Sequence, residues 1–199
     1  GDFPKGALDS LISLETVECA CGCTLPEKEI ETSNILHIGC DVARFGDDKT
    51  VITPRIAGKI FPFKKYSKKS TMETAGNVIL ICKEYMKKYP KLKKCVIKVD
   101  DTGVGGGVTD RIREVVVEEG LPYTVIPVNN GASATDEYYA NLGSQIWGAL
   151  RDALEENLSH MIQGEPVTLE MPNDAEMIKQ LSSRKQKITS KGKIQLESK

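Results

Sequence analysis

The sequence predicts an α/β domain with a mixed β-sheet and helices on both faces. Short apolar runs typical of strands are separated by segments with the spacing of helices. A hairpin pattern comes first, and strands and helices then alternate, which indicates strands of both directions in one sheet. The 199 residues include 40% hydrophobic and 28% charged residues. That composition fits one globular domain with an arm rather than a disordered chain.

The first part of the chain predicts an arm, then a strand and a hairpin. Residues 1–33 contain an apolar helix around residues 10–21 and then a polar stretch. From Asn34 the apolar run ILHIGCDVA is typical of a buried strand. The stretch KTVITPRIAGKIFPFKKY has the pattern of a hairpin that turns at Ala57 and Gly58. Two prolines interrupt this hairpin, so we expect at least one of its strands at a sheet edge.

The remaining stretches predict alternating helices and strands. Residues 71–89 have helical spacing and are followed by the strand KCVIKVD. A helix in GGVTDRIREVVVEEG is closed by Gly120, and the strand YTVIPV comes next. The longest helix is predicted over residues 136–157, before a short helix capped by Asn173. The stretch KQKITSKGKIQLES predicts a C-terminal β-hairpin that turns near Gly192.

Charge and composition narrow the function classes. The 27 Lys and Arg residues nearly balance the 28 Asp and Glu residues, so the net charge of −1 predicts neither a strong polyanion binder nor its opposite. No apolar stretch is long enough to span a bilayer, and the N-terminal residues lack the pattern of a signal peptide. We therefore expect no membrane association, and we expect the six cysteines to stay reduced in a cytosol.

Three of the cysteines lie in the short stretch ECACGC. On a helix, Cys19 and Cys23 would share one face and Cys21 would point elsewhere. Structural zinc usually takes four ligands at wider spacing, and the nearest further candidate, His37, falls in a predicted strand. We therefore favour ordinary buried cysteines over a metal site here.

Two predicted strands end in acidic residues, the first at Asp41 and the strand KCVIKVD at Asp100. Ligand sites in such sheets lie beyond the carboxyl ends of strands. If the two strands are neighbours, their terminal carboxylates come within reach of one ion. Mg²⁺ prefers such oxygen ligands together with substrate phosphates. The alternative is a strand-to-helix turn in which the acids only cap the helix.

A glycine-rich turn directly follows these acids. Its glycines do not fit the dinucleotide pattern G-x-G-x-x-G, and the chain lacks the nucleotide loop that ends in Gly-Lys-Ser/Thr. Gly103 and Gly105 would instead let the backbone turn sharply and leave room for a bulky anion. The helix that follows would direct its N-terminus to the same place, which favours phosphate.

At this spacing, GCDVARFGDDKTVI and VDDTGVGGGVTDRI resemble the nuclease domain of the large terminase subunit of tailed bacteriophages or prophages, the motor that packages and cuts viral DNA. The stretches NLGSQIWGALRDALE and LSSRKQKITSKGKIQLESK resemble the family's long helix and its C-terminal hairpin segment. The opening GDFP with LISLETVE resembles the segment that joins the nuclease to a preceding ATPase. The resemblance covers nearly the whole chain, as four blocks in order.

The resemblance implies a ribonuclease-H-like fold, in which residues 1–33 join a preceding ATPase domain and residues 34–199 form the nuclease domain. By position, Asp41 matches the metal ligand of the family's first strand, and Asp100 matches the acid that ends its central strand. Both are therefore the expected catalytic metal ligands. Other matches imply secondary roles: a second-choice metal contact for Asp101, turn stabilisation for Asp48, and turn glycines at Gly103 and Gly105.

The family's third metal acid lies on a helix after the final hairpin, in a motif that resembles Ser-Pro-Asp. No such stretch follows the hairpin here, so the resemblance implies a nuclease domain that is incomplete at its C-terminal end. The acids that could substitute are Asp47, Asp174 and Glu197, although none matches the family motif. We therefore expect weak metal binding and low activity, restored by manganese if at all.

The implied activity is hydrolysis of phosphodiester bonds in double-stranded DNA with two Mg²⁺ or Mn²⁺ ions about 3.5–4 Å apart. This endonuclease activity would cut concatemeric genomes during packaging, with Asp41 bridging both ions and Asp100 holding one. The implied partners are double-stranded DNA, the ATPase domain, the small terminase subunit and the portal protein. The implied location is the cytoplasm of a host bacterium.

Two clusters of basic residues are candidates for binding DNA. The C-terminal hairpin is favoured, because phosphate contacts give a packaging motor grip without sequence choice. Its basic residues are Arg184, Lys185, Lys187, Lys191 and Lys193. The other cluster is equally compatible with solvated lysines on an edge strand. It consists of Lys64, Lys65, Lys68 and Lys69.

Two other function classes remain open from the sequence. One is an inactive module of the same motor that holds DNA or docks on the portal. It predicts DNA binding without metal-dependent nicking. The other is an ATP-binding domain of the actin and sugar-kinase type, which is disfavoured because that fold needs two related halves and a longer chain. Nucleotide-dependent thermal stabilisation would favour it.

Overall fold

The computed structural model describes three ranges of the chain: residues 10–43, 48–103 and 105–197. In chain order, the elements are α1 (Leu14–Gly22), α2 (Glu27–Thr32), β1 (Ile35–Asp41), β2 (Lys49–Ile56), β3 (Lys59–Ile60), β4 (Lys64–Ser67), α3 (Thr71–Lys88), β5 (Lys94–Asp100), α4 (Gly105–Glu118), β6 (Tyr123–Val128), α5 (Leu142–Gln163), α6 (Ala175–Ser183), β7 (Gln186–Ile188) and β8 (Ile194–Leu196). Within the described ranges, none of the helices is long and apolar enough to cross a membrane.

One compact unit, here called the sheet unit, comprises residues 25–129 and contains a mixed sheet of six strands. The strand order is β3-β2-β1-β5-β6, and β4 also pairs with β2. β1, β5 and β6 are parallel, whereas β2 runs antiparallel to β1 and to both short strands. The predicted mixed sheet is therefore confirmed, as is the hairpin turn at Ala57 and Gly58.

Two prolines shape the edge of this sheet. Pro62 lies between β3 and β4, where it interrupts the edge strand, since it has no backbone N–H to donate. Pro54 lies inside β2 and pairs with Ile38 of β1. Its carbonyl oxygen accepts the N–H of Phe61 at 2.9 Å. In a strand the nitrogen and oxygen of one residue face the same side, so the missing donor of Pro54 faces the interrupted edge rather than β1.

The core of the sheet unit lies between one face of the sheet and helices α3 and α4. Buried side chains alternate with less buried ones along β1, β2 and β5, as expected for strands that pack on one face. Leu36, Ile52 and Ile97 of the sheet join Val78 of α3 and Ile112 of α4 in one cluster, and all five are 0% exposed. Burial of a side chain of this size contributes about 1.5–3 kcal/mol.

A second compact unit, here called the hairpin unit, comprises residues 10–24 and 130–197. It contains α1, α5, α6 and the antiparallel hairpin β7–β8, which confirms the predicted C-terminal hairpin. Ile12 and Val17 are fully buried, and α1 packs against α5 and α6. The predicted arm is thus divided. Its residues 10–24 belong to the hairpin unit, and its remaining described residues belong to the sheet unit.

The longest helix is shifted from its predicted range of residues 136–157. The side chain of Asn141 accepts the N–H of Ser144 at 2.8 Å, and this cap starts α5 later in the sequence than its apolar spacing suggests. The helix then continues beyond the predicted end to Gly164, which has a φ of 73°. Glycine adopts this left-handed conformation without the penalty of a Cβ atom, so it closes the helix.

One other predicted detail is wrong. Asp174 rather than Asn173 caps α6, because its carboxylate accepts the N–H of Met177 at 2.9 Å. The polar stretch of the predicted arm, PEKEIET, contains the short helix α2, which the sequence analysis did not predict. Its apolar residue Ile30 is buried in the core of the sheet unit. A single buried side chain in six residues leaves no periodic signal in the sequence.

Candidate functional site

The register of two parallel strands brings Asp41 and Asp100 together. Cys40 of β1 pairs with Val99 of β5, and Asp41 and Asp100 are the next and last residues of these strands. The two acids therefore lie side by side, on strands separated by about 4.8 Å. Cys40 and Val99 point into the core. Since successive side chains alternate, both carboxylates point to the face opposite α3 and α4.

The glycine-rich turn after β5 is fixed by close packing. The carboxylate Oδ1 of Asp100 accepts the N–H of Thr102 at 2.9 Å, and Gly103 has a φ of 82°. A Cβ atom at Gly105 would overlap the carbonyl oxygen of Asp100. Gly105 is therefore required for α4 to start against the end of β5. This packing explains why position 105 is a glycine, and the explanation does not require a bound phosphate.

Asp101 is directed toward α4. Its Oδ1 accepts the hydroxyl of Thr109 at 3.1 Å, and that hydroxyl also lies 3.2 Å from the carbonyl oxygen of Gly105. Thr109 is almost fully buried. The carboxylate of Asp101 therefore holds the first turns of α4 in place. Asp100 thus lies at the strand end, whereas Asp101 contacts the helix, as in the helix-binding alternative.

The loop after Asp41 is held at both described ends. The buried hydroxyl of Thr50 donates to the carbonyl oxygen of Ala43 at 3.0 Å and accepts the N–H of Ala43 at 3.1 Å. Asp48 is exposed and lies immediately before β2. The spare acid Asp47 lies outside the described residues. Sequence reasoning missed Thr50, whose hydroxyl links β2 to the chain just after Asp41.

Lys98 is a second residue that sequence reasoning missed. It lies two residues before Asp100 on β5 and therefore on the same face of the sheet. Its register partner is Gly39, which has no side chain to cover it, and Lys98 is exposed. Burial, then Arg55, then Lys98 lower the pKa of His37 on this face. A positive charge beside the two acids suits a phosphate group, and the alternation in IKVD is the signal that points to it.

The donor set fits a hard divalent cation that also binds substrate. Within residues 10–43, 48–103 and 105–197, no group of three or more His, Cys, Asp or Glu side chains is arranged to hold a metal. Asp41 and Asp100 therefore supply two carboxylates, as in Mg²⁺ sites completed by waters and substrate phosphates. The spare acids Asp174 and Glu197 belong to the hairpin unit, where Asp174 caps α6.

The C-terminal hairpin presents its lysines on one face. Lys187 pairs with Gln195 across the hairpin, so Lys185 and Lys193, two residues from either partner, share the face of that pair. The opposite face carries the apolar residues of both strands, Ile188, Ile194 and Leu196. The lysine side chains have no carboxylate partner among the described ion pairs. Lys191 lies at the exposed turn beside Gly192.

Backbone contacts anchor this hairpin to the start of α5. The N–H of Ile194 donates to the carbonyl oxygen of Tyr138 at 2.8 Å, and the N–H of Ala140 donates to the carbonyl oxygen of Ile194 at 2.9 Å. The N–H of Leu196 donates to the hydroxyl of Ser144 at 3.1 Å. Strand β8 is therefore held along its length, which places the lysine face on a fixed support.

Several other predicted basic residues already contact side chains of the protein. The guanidinium of Arg184 lies 5.9 Å from the ring centre of Trp147, so this arginine packs on α5. In the first cluster, Lys69 forms an ion pair of 2.9 Å with Glu73. Lys65 lies 5.9 Å from the ring centre of Phe63. The C-terminal hairpin is thus the better placed of the two clusters to bind an external anion.

The mixed sheet has the order β3-β2-β1-β5-β6, with acids at the ends of two neighbouring parallel strands. This is the ribonuclease-H-like fold that the resemblance implies. Similar solved structures include nuclease domains of phage large terminase subunits. No family model matches the sequence, and no curated protein matches it.

The similar structures include nuclease domains from two phages. A variant nuclease domain of the large terminase subunit gp2 of bacterial virus Sf6, solved with manganese and beta-thujaplicinol, is 18% identical with a TM-score of 0.75, over 95% of this chain and 88% of that chain. Another structure of the gp2 nuclease domain is 17% identical with a TM-score of 0.73, over the same shares of both chains. The large terminase nuclease from thermophilic phage G20c with bound magnesium is 17% identical with a TM-score of 0.52, over 97% of this chain and 89% of that chain. The chain therefore has the fold of a terminase nuclease domain.

Proposed function

We propose that this chain is the metal-dependent endonuclease domain of a viral DNA-packaging terminase and hydrolyses phosphodiester bonds in double-stranded DNA. One observation carries the proposal: Asp41 and Asp100 end neighbouring parallel strands in register, so two carboxylates converge at the carboxyl edge of the sheet. Ligand sites in α/β sheets lie at this edge. The fold agrees, because the similar structures are terminase nucleases.

Asp41 and Asp100 would hold Mg²⁺ or Mn²⁺. Two divalent ions bound there would provide an activated water and neutralise charge on the phosphate and the leaving oxygen. The protein would contribute the fixed positions of the two carboxylates, set by the strand register and by the packing of Gly105 on Asp100. Asp101 would keep α4 in place behind the site. The gp2 structure with manganese and the G20c structure with magnesium support this choice of cations.

Lys98 would position the scissile phosphate. Its ammonium group belongs to the same sheet face as both acids and lies on the strand that ends in one of them. A lysine supplies a compact positive charge that attracts phosphate without selecting a base. This role adds a residue of β5 to the candidate site, beside the two metal ligands.

The hairpin lysines would grip the DNA backbone. Lys185, Lys187 and Lys193 share one face, and phosphate contacts of this kind bind DNA of any sequence. In a packaging motor this domain would work with the ATPase domain, the small terminase subunit and the portal protein, in the cytoplasm of an infected bacterium. The similarity to nuclease domains of large terminase subunits supports this choice of partners.

The test is nicking of supercoiled plasmid by the purified chain in EDTA, magnesium and manganese. We expect metal-dependent nicking, weaker in magnesium than in manganese because the described residues provide only two convergent carboxylates. The variant Asp41→Asn should lose it. The matched control is Asp110→Asn, which removes an equal charge from an exposed position of α4 in the same unit, where Asp110 lies 3.8 Å from Arg113.

A second candidate is an inactive module that holds DNA or docks on the portal. It is favoured by the absence, among the described residues, of a group of three metal-ligating side chains. This function predicts DNA binding in a gel-shift assay with no nicking in any metal. Equal nicking by the wild type and Asp41→Asn would instead contradict the proposed site.

A further inference from the structure

Three sulfur atoms meet in the hairpin unit, and none of them belongs to a residue of the candidate nuclease site. The Sγ atoms of Cys19 and Cys23 are 4.0 Å apart, and the Sδ atom of Met161 on α5 lies 3.4 Å from Cys19 Sγ. The predicted helical face is confirmed, because Cys21 points elsewhere and its Sγ lies 3.5 Å from the carbonyl oxygen of Pro172. The third sulfur comes from a residue far away in the sequence, which no spacing of cysteines reveals.

A fully buried amide lies behind these sulfurs. Asn157 is 0% exposed, and its Oδ1 accepts the N–H groups of Thr168 and Leu169, each at 2.8 Å. These two bonds fix the amide, so its Nδ2 donates toward Cys23 Sγ at 3.5 Å and Cys19 Sγ at 3.9 Å. Hydrogen bonds of this kind orient metal ligands and stabilise the thiolate form. The Asn157 amide is therefore buried and hydrogen-bonded through both its oxygen and its nitrogen, and it holds the two thiols in a fixed environment.

We propose that Cys19, Cys23 and Met161 form a binding site for one soft monovalent cation of the Cu(I) type. On binding, each thiol releases one proton to solvent and forms a sulfur–metal bond, while Met161 donates a lone pair from its thioether. The cation keeps its oxidation state, so two protons leave for each ion that binds. The site is independent of the proposed nuclease function.

The geometry and the ligand types select this class of ion. An ion about 2.3 Å from each of three sulfurs in a plane holds those sulfurs about 4.0 Å apart. The Cys19–Cys23 separation already has that value, 4.0 Å. The Sδ atom of Met161 lies 3.4 Å from Cys19 Sγ and must move outward to reach that separation, which its flexible thioether allows. Thiolate and thioether ligands together favour Cu(I), whereas magnesium and manganese prefer oxygen.

Exposure and charge are suitable as well. Met161 is 48% exposed, which leaves a path from solvent to the sulfurs. Burial, and then the neighbouring Cys23, raise the pKa of Cys19 to about 11, whereas the hydrogen bond from Asn157 acts to lower it. An ion must therefore displace a firmly held proton, and binding should strengthen as the pH rises. The nearby carboxylate of Glu15 contributes to that shift, and the same negative charge attracts a cation.

A second thiol pair in the sheet unit lacks these features. Cys82 and Cys95 have Sγ atoms 3.4 Å apart, but both residues are 0% exposed in the core between α3 and β5. A buried pair without an entry path is expected to be inert packing. Both pairs have two sulfur atoms close together. Of these two pairs, the Cys19–Cys23 pair alone also has a path from solvent and a third sulfur donor.

The experiment titrates the reduced, full chain with Cu(I) without oxygen, against a chromophoric chelator, and measures X-ray absorption at the copper edge. We expect one tightly held ion per chain with three sulfur neighbours at about 2.3 Å. The double variant Cys19→Ser with Cys23→Ser should lose that ion. Met161→Leu, which nearly conserves volume at a half-exposed position, should leave two sulfur neighbours and weaken binding by about 10–100-fold. The control Cys21→Ser should bind as the wild type does.

Several outcomes would overturn the proposal. Binding by the double serine variant equal to that of the wild type would place the ion elsewhere, and an equal loss in Cys21→Ser would remove the assignment to these sulfurs. Three sulfur neighbours in Met161→Leu would exclude the thioether. If the reduced chain held no ion but a thiol oxidant joined Cys19 to Cys23, the pair would be a redox couple instead. Circular dichroism of each variant separates loss of the site from loss of the fold.

Discussion

The acidic edge of the sheet and the lysine face of the hairpin are built in different ways. Asp41 and Asp100 end long strands whose register is fixed by neighbouring strands and by a fully buried core. Lys187 lies on a strand of three residues, and Lys185 and Lys193 lie just before the two short strands. Lys185 and Lys187 are exposed, and Lys193 is partly exposed. Chemistry on a phosphate needs carboxylates in fixed positions, whereas electrostatic grip needs only charge on a supported surface. The comparison predicts that changes at the acids affect the rate of cutting and changes at the hairpin affect DNA affinity.

The largest effect is expected for Asp100→Asn. The amide keeps the size of the side chain but cannot supply a charged ligand, so a metal-assisted step loses stabilisation of about 4 kcal/mol, or roughly a thousandfold in rate. We expect single-turnover nicking in manganese to fall by that factor. DNA affinity measured without metal should stay unchanged. A variant that cuts normally but binds DNA weakly would reverse the assignment of the two regions.

The next effect is expected for the triple variant in which Lys185, Lys187 and Lys193 become Gln. Each lost phosphate contact lowers the slope of log affinity against log salt by about 0.9. We expect weaker DNA binding with a smaller salt dependence, while nicking at saturating DNA is kept. Fluorescence anisotropy over a range of salt concentrations measures both quantities.

A matched triple variant controls for net charge. Lys87, Lys91 and Lys93 are exposed residues of α3 and its exit, where lysines are expected on a solvated face. Changing all three to Gln removes the same charge from the chain. An equal loss of salt dependence in this control would mean that binding follows total charge and not the hairpin face.

Local signals predicted most of the frame of the sheet unit. The turn at Gly58, the ends of β1 and β5 at their acids, and the closure of α4 at Gly120 follow from the residues at those points. The start of α5 was not predicted correctly, because the apolar spacing continues on the N-terminal side of Asn141. The cap formed by Asn141 alone determines where the helix begins. Lys98 and Asn157 were missed for other reasons. The alternation in IKVD does place Lys98 on the face of Asp100, but an exposed lysine on a strand is common. The significance of Asn157 comes from the sulfurs beside it in the fold, which no neighbouring residue in the sequence reveals.

A third variant, Gly105→Ala, tests the frame that positions Asp100. Its Cβ atom would overlap the carbonyl oxygen of Asp100, and the strain should lower the free energy of unfolding by about 1–3 kcal/mol. Because Asp100 must shift, nicking should fall as well, while DNA affinity at the hairpin stays unchanged. Chemical denaturation and the plasmid assay measure the two effects.

The control for this variant is Gly107→Ala, two residues further along the same helix. There the new Cβ atom would lie 3.6 Å from Cγ2 of Thr71, which is an ordinary contact. Alanine is the better helix former, so this control should be neutral or more stable by up to about 1 kcal/mol. Equal destabilisation by both variants would show that glycine is needed throughout the turn, not specifically against Asp100.

The smallest effect concerns the basic cluster of the sheet unit and depends on pH. Hydrogen bonds from Lys69 and from the backbone and side chain of Ser70 lower the pKa of Glu73 to about 2, below the value of about 4.3 for an unfolded chain. A lowered pKa means that the ionised carboxylate stabilises the folded state above about pH 4.3, and that this contribution is lost as the pH falls toward 2.

The variant Glu73→Gln tests this effect, because it retains a capping side chain that does not titrate. The difference in unfolding free energy between wild type and variant should therefore shrink between about pH 4.3 and pH 3 in denaturant titrations. If this difference stays constant over that range, Lys69 does not form a stable ion pair with Glu73. The first basic cluster would then be a second candidate surface for binding DNA.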